Sequence, residues 1–172
     1  MKKMSLAKGS NKRMKRIALF PGSFDPITCG HTEIVQRGLA IFDEVFIGIG
    51  VNTTKTPTFP TGKKVQWISE IFQGEARVKV GIFSGLTVNF ALSIEATFIL
   101  RGLRAAPDFE YEKNIELLNK HLAPNIDTVY LVSSSTTGHI SSSLVREVLR
   151  FNGNLKGLVP DIILQEISQQ KI

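Results

Sequence analysis

The sequence predicts an α/β fold of one domain: an open five-stranded parallel sheet with helices on both faces. Three observations carry that expectation. Short apolar runs alternate with amphipathic segments five times along the chain. The runs are almost continuously apolar, IALF at 17–20 and TVYLV at 128–132, as strands covered on both faces must be. The length, 172 residues, is that of one domain able to bury its own core.

Each element follows from its own pattern. Residues 16–20 read as a buried strand that enters a Gly/Pro-rich loop at 21–30. Ile34, Val35, Leu39 and Phe42 recur at helical spacing and predict a helix over 31–42. A second strand, 45–51, is interrupted by Gly48 and Gly50, and the polar loop 52–62 holds Pro57 and Pro60. Trp67, Ile68 and Ile71 form the apolar face of a helix over 63–72, with Trp67 a core residue. Strand three is 78–83, followed by a short helix at 87–93 and strand four at 97–100. The helix over 108–122 places Tyr111, Ile115, Leu118 and Leu122 on one apolar stripe. Strand five is 127–132, and helices over 141–150 and 160–168 close the chain. In such sheets ligands bind beyond the carboxyl ends of the strands. The loops 21–30, 52–62, 102–107 and 133–141 are therefore expected to face one another.

Composition excludes several classes. No apolar stretch approaches the ~18 residues of a membrane-spanning helix. The single cysteine, Cys29, excludes a disulfide framework and a cysteine-built zinc site, and fits a reducing, cytoplasmic compartment. Of the 21 Lys and Arg, seven fall within residues 1–16, which hold no acid. The other 14 face 15 acids, so the net charge of +6 belongs to the start of the chain and the body is close to neutral. A globally basic nucleic-acid-binding domain is not expected. Residues 1–15 are expected to be a disordered basic tail and 16–172 the folded domain. The tail lacks the apolar run of a secretory signal, and Met14 offers a second start directly before the first strand.

Four motifs carry chemistry. The loop Pro21-Gly22-Ser23-Phe24-Asp25-Pro26-Ile27-Thr28-Cys29-Gly30-His31 ends where a helix opens, and free amides and the helix dipole there favour an anion. It is neither a Walker A loop nor GxGxxG. Gly22 can let backbone approach a ligand. Ile140-Ser141-Ser142-Ser143-Leu144-Val145-Arg146 opens another helix, with Arg146 on the face of Ser142 and Ser143. That run reads equally as a phosphate site or as N-capping beside a solvated arginine. Arg101-Gly102-Leu103-Arg104 follows strand four, and Asp108 and Glu112 lie one turn apart on the next helix. Those acids could tie the loop to the helix, orient the arginines, or meet a sugar or a metal. Lys55 sits in the loop after strand two, where it reaches a phosphate or only solvent. His121 fits a helix end near the dipole's negative pole. His139 is a loop residue facing solvent or the site, and Cys29 has no base beside it in the motif. Together these groups make a site for several phosphates without an acyl nucleophile.

At these residues the chain resembles a known family. PGSFDPITCGH is similar to the TxGH signature of the nucleotidyltransferase superfamily, whose sheet is Rossmann-like, and ISSSLVR to its ISSTxxR motif. RGLRAAPDFEYE, with Thr28 where many relatives have a first histidine, resembles the bacterial phosphopantetheine adenylyltransferases over about 15–165. The resemblance implies transfer of an adenylyl group from ATP to 4′-phosphopantetheine with Mg²⁺, the metal ligands being unknown. It implies ATP binding by Ser23, Phe24, His31, Gly102, Leu103, Arg104, Glu112, Thr137, Gly138, His139, Ile140, Ser141, Ser142 and Ser143. Ser23, Lys55, Thr87 and Arg101 would bind the acceptor. His31 would stabilise the transition state, with Lys55 and Arg104 beside it and Arg146 as a further phosphate contact. A homohexamer inhibited by coenzyme A, with no nucleic-acid or membrane partner, is the family pattern. Cys29 replaces a common asparagine, residues 59–64 replace a more acidic segment, and an aromatic residue common near Thr137 is missing. The alternatives are a sister transferase acting on nicotinamide mononucleotide or using CTP, and a non-catalytic nucleotide-binding module.

Overall fold

Residues 13–51 and 56–169 are described by the computed structural model. β1 (Ile17–Gly22) alternates with a period of two: Ala18 and Phe20 enter one core layer, Ile17 and Leu19 the other. Around it lie β2 (Glu44–Gly50), β3 (Val78–Phe83), β4 (Phe98–Leu103) and β5 (Asp127–Val132) in the order β3-β2-β1-β4-β5, all parallel. The first layer is roofed by α1 (Cys29–Gly38), α2 (Thr61–Ile71), α5 (Ser142–Arg150) and α6 (Asp161–Gln169), through Val35, Trp67, Val145 and Ile163. The second is covered by α3 (Thr87–Ser93) and the end of α4 (Ala106–Leu122), through Val88, Ala91 and Ala123. The expected Rossmann-like α/β architecture, with helices on both faces, is therefore present.

The chain leaves β1 towards β2 and β3, then crosses back to β4 on the other side. β1 and β2 pair from Ile17↔Glu44 to Gly22↔Ile49, whereas β1 and β4 pair only at Ala18↔Phe98 and Leu19↔Ile99. Beyond Leu19 the two central strands part, and a crevice opens at this reversal of strand order.

Three boundaries and one helix face differ notably from the sequence pattern. α1 ends at Gly38 rather than Phe42; a Cβ at Gly38 would lie 2.8 Å from Leu100, so the helix packs closely on the sheet there. Residues 39–42 then turn so that Phe42 reaches the core. β4 continues past Leu100 to Leu103 because Arg101–Leu103 pair with Tyr130–Val132. α4 begins at Ala106, with Pro107 accepted in its first turn, where no amide bond is lost. Its apolar stripe also differs: Tyr111, Leu118 and Leu122 are exposed, and Glu112 is the helix's buried residue.

The expected tail falls largely on residues 1–12, outside the described residues. Arg13 and Lys15 form exposed ion pairs with Asp43 and Glu44. Among the described residues no helix is long and apolar enough to cross a membrane.

Candidate active site

The loop after β1 is shaped by an aromatic wedge. Phe24 adopts φ +44°, a backbone conformation uncommon for a bulky residue, and its ring is buried. The ring meets Phe20 at 5.4 Å and His31 edge-on at 5.1 Å. A Cβ on Gly22 would stand 3.0 Å from that ring. Gly22 thus makes room for Phe24 as well as lining the crevice.

Thr28 caps α1, which starts two residues before His31, and His31 closes a capping box with it. The Thr28 backbone amide donates to His31 Nδ1 at 3.0 Å, and Thr28 Oγ1 stands 2.9 Å from the same nitrogen. An amide only donates, so Nδ1 presents its lone pair and Nε2 carries the proton of the neutral ring. Burial, then the positive charges of Arg104 and Arg101, lower the His31 pKa to about 4. At neutral pH His31 is an uncharged Nε2–H donor. The first-turn amides are less free than expected, since Cys29 donates to the Leu158 carbonyl at 3.0 Å.

Arg101, within β4, and Arg104, directly after it, are held by acids, one of the readings left open by the spacing. Arg101 grips Glu112 with Nε at 2.8 Å and with Nη2, and its Nη1 donates to the Pro21 carbonyl at 2.7 Å. That last bond spans the gap where β1 and β4 part. Arg104 is held by Asp108 through Nε at 3.0 Å and Nη2 at 3.1 Å. Glu112, expected beside ATP, spends its carboxylate on Arg101.

The serine run is organised differently from a simple hydroxyl cradle. Ser141 caps α5 by accepting from the Leu144 amide at 3.1 Å. Ser142 Oγ donates to the Pro26 carbonyl at 2.8 Å, and Ser143 Oγ accepts from Arg146 Nη2 at 3.0 Å. Arg146 Nη1 donates to the Asp25 carbonyl at 2.7 Å. Ser142 therefore locks helix to loop, and of the first-turn amides of α5 those of Ser142 and Ser143 remain for an anion, Leu144 being taken by the cap.

Two polar residues beside the site escaped the sequence reading. Glu33 accepts from the Thr137 hydroxyl, from Ser134 N at 3.1 Å and Oγ at 2.9 Å, and from Arg37 at 3.0 Å. The Thr137 bond foremost, with those of Ser134 and Arg37, lowers its pKa to about 2 against the opposing effect of burial. Its spacing two residues after His31 and four before Arg37 was the available signal. Lys64 is the other: it is 4% exposed and donates to the Ser23 carbonyl at 3.0 Å. It falls in the 59–64 segment already marked as a departure.

A cavity of about 710 Å³ gathers Ser23, Phe24, His31, Arg101, Gly102, Arg104, Glu112, Ile140, Ser141, Ser142, Ser143, Arg146 and Lys64. A smaller one of about 210 Å³ adjoins it, shares Ser23, Arg101 and Glu112, and adds Thr87. Thr137, Gly138, His139 and Leu103 line neither; Leu103 is buried in the sheet and His139 is exposed. Lys55 lies outside the described residues. Among the described residues no group of three His, Cys, Asp or Glu side chains could hold a metal, and none has a serine or cysteine hydrogen-bonded to histidine. Such an arrangement of arginines, a neutral donor and helix amides can bind and stabilise anionic phosphoryl groups, and among the described residues it offers no activated acyl nucleophile.

Comparison with known proteins gives a consistent picture. The cytidylyltransferase-like family model matches residues 19–148. The phosphopantetheine adenylyltransferase of Alkaliphilus metalliredigens is 41% identical over 155 residues, 90% of this chain and 99% of the relative. That of Flavobacterium johnsoniae is 48% identical over 148 residues, 86% of this chain and 97% of the relative. That of Geobacter metallireducens is 40% identical over 156 residues, covering 91% and 96%.

Proposed function

Because this chain belongs to the phosphopantetheine adenylyltransferases of the cytidylyltransferase-like family, we propose that it adenylylates 4′-phosphopantetheine with ATP. The products are dephospho-coenzyme A and pyrophosphate, a step of coenzyme A synthesis. A phosphate oxygen of the acceptor forms a bond to the α-phosphorus. The bond from that phosphorus to the bridging oxygen breaks, and pyrophosphate leaves with the electron pair. The attacking group is already anionic near neutral pH, with a second pKa of ~6, so no general base is needed.

One observation carries the reading: a neutral His31, with Nδ1 engaged and Nε2–H free, lines one cavity with Arg101, Arg104 and the start of α5. A fixed uncharged donor strengthens as charge gathers on the α-phosphoryl oxygens. Arg104, Arg146 and the α5 amides would hold the triphosphate; Arg101, Thr87 and Lys55 would hold the acceptor, reached through the smaller cavity. Mg²⁺ would enter with the nucleotide and would supply charge neutralisation to its phosphates. Asp108 and Glu112 are committed to arginines, so the chain holds the phosphates rather than caging the ion.

Coenzyme A contains the product's skeleton and would compete for the same two cavities. The exposed apolar stripe of α4, Tyr111, Leu118 and Leu122 with Leu117 beside it, supports burial between copies in a homohexamer. A cytoplasmic location fits the free Cys29. The deciding experiment measures pyrophosphate release from ATP with 4′-phosphopantetheine and, separately, nicotinamide mononucleotide. Release with the first acceptor alone supports the proposal; release with the second, or with neither, overturns it.

A further inference from the structure

Lys64 has no counter-charge. It stands in the first turn of α2, where the helix dipole is already positive and no acid is present. Its neighbour Lys63 pairs with Glu166, but among the described residues no carboxylate lies within ion-pair distance of Lys64. An ammonium offers three N–H donors, and the Ser23 carbonyl takes one, at 3.0 Å. A buried cation with one neutral partner is costly unless an anion joins it.

The cation does face a place for one. Lys64 lines the larger cavity together with Arg146, which likewise lacks a carboxylate partner among the described residues. The two hold carbonyls two residues apart in one loop, Ser23 and Asp25. Arg101 and Arg104 are largely neutralised by Glu112 and Asp108. The smaller cavity, which adds Thr87, includes neither Lys64 nor Arg146. We propose that Lys64 is a further binding residue of this transferase, contacting the polyphosphate of the nucleotide, and the pyrophosphate that leaves, rather than the acceptor.

This proposal rests on the function proposed above, and its test separates the two. Turnover of the wild type with ATP and 4′-phosphopantetheine reports on the function. Calorimetric binding of inorganic pyrophosphate to the full chain reports on Lys64 and needs no catalysis. Lys64→Gln keeps a donor and loses the charge; Lys64→Arg keeps both. Lys64→Gln should weaken pyrophosphate binding and raise the KM for ATP about tenfold or more, leaving the acceptor KM within about twofold. Lys64→Arg should restore both to within about threefold. The salt dependence of pyrophosphate binding should be shallower in Lys64→Gln. Unchanged pyrophosphate affinity in Lys64→Gln, or a rise confined to the acceptor KM, overturns the proposal. If Lys64→Gln does not fold, the Nζ magnetic resonance signal of Lys64 in the wild type, assigned by its loss in Lys64→Arg, decides. It should shift on adding pyrophosphate, and an unmoved signal at saturation overturns the proposal.

Discussion

The Thr28 backbone amide donates to His31 Nδ1 at 3.0 Å, and this one bond settles which face of the imidazole is offered to a ligand. Thr28 is a helix cap and His31 the third residue of the helix, so the bond also closes the first turn. Capping and presentation of the Nε2–H donor are one geometric event.

His31→Ala should therefore show two separable losses. Removing one preorganised donor is expected to lower kcat by about 10²–10³ while ATP affinity changes little. Alanine suits a helix but cannot accept the Thr28 amide, so about 1 kcal/mol of stability should also go. Calorimetry with ATP beside pyrophosphate release checks the first loss, and thermal unfolding the second. A defect residing wholly in ATP affinity would make His31 a ground-state contact.

The pH dependence has a definite sign. The folded His31 pKa is about 4, below the ordinary 6.5, so between those values the unfolded chain binds more protons. Stability from this residue is complete above about 6.5 and falls as pH drops towards 4, by at most ~3 kcal/mol. The wild type should lose stability across that window and His31→Ala should lose less. Urea unfolding at pH 7.5, 6 and 5 compares the slopes, at ordinary buffer values chosen to bracket about 6.5.

Arg101→Ala should raise the acceptor KM much more than the KM for ATP. It also strips Glu112 of its partner and removes the Pro21 bond across the strand gap, at a cost of about 2–3 kcal/mol. Arg101→Ala/Glu112→Ala should recover part of that stability and none of the acceptor binding. Equal KM effects on both substrates would mean that Arg101 serves the fold or the nucleotide.

Glu33→Gln should loosen the loop that carries Ser134 and Thr137. A three- to tenfold rise in the KM for ATP is expected, equivalent to about 1 kcal/mol, with kcat and the acceptor KM nearly unchanged. Its folded pKa of about 2 lies below the ordinary 4.5, so the contribution is present above that value and fades as pH falls towards 2. Steady-state kinetics with each substrate varied checks the split.

A chain beginning at Met14 should keep near-normal turnover and melting temperature. Among the described residues it loses only Arg13, whose pair with Asp43 spans 3.5 Å between exposed side chains. A fall of several degrees would mean that earlier residues pack on the body.

The sequence by itself determined the order of elements, the parallel sheet and the motif-bearing loops at one edge of it. Those features arise from local periodicity: apolar runs such as IALF admit few alternatives to a buried strand, and Ile34, Val35 and Leu39 recur at helical spacing. Only the tertiary structure decided which partners the polar groups took. Arg101 bonds Pro21 and Glu112, Glu33 collects Ser134 and Thr137, and Lys64 meets Ser23, each between segments apart in sequence. No periodic pattern encodes such contacts, because they depend on how closely separate elements approach. The same holds for the α4 stripe: spacing places Tyr111, Leu118 and Leu122 on one face, but packing decides whether that face meets the core or the solvent. β4 outran its apolar run because ladder bonding to β5 continues wherever backbones are parallel and close, and at the crevice the side chains there need not be apolar.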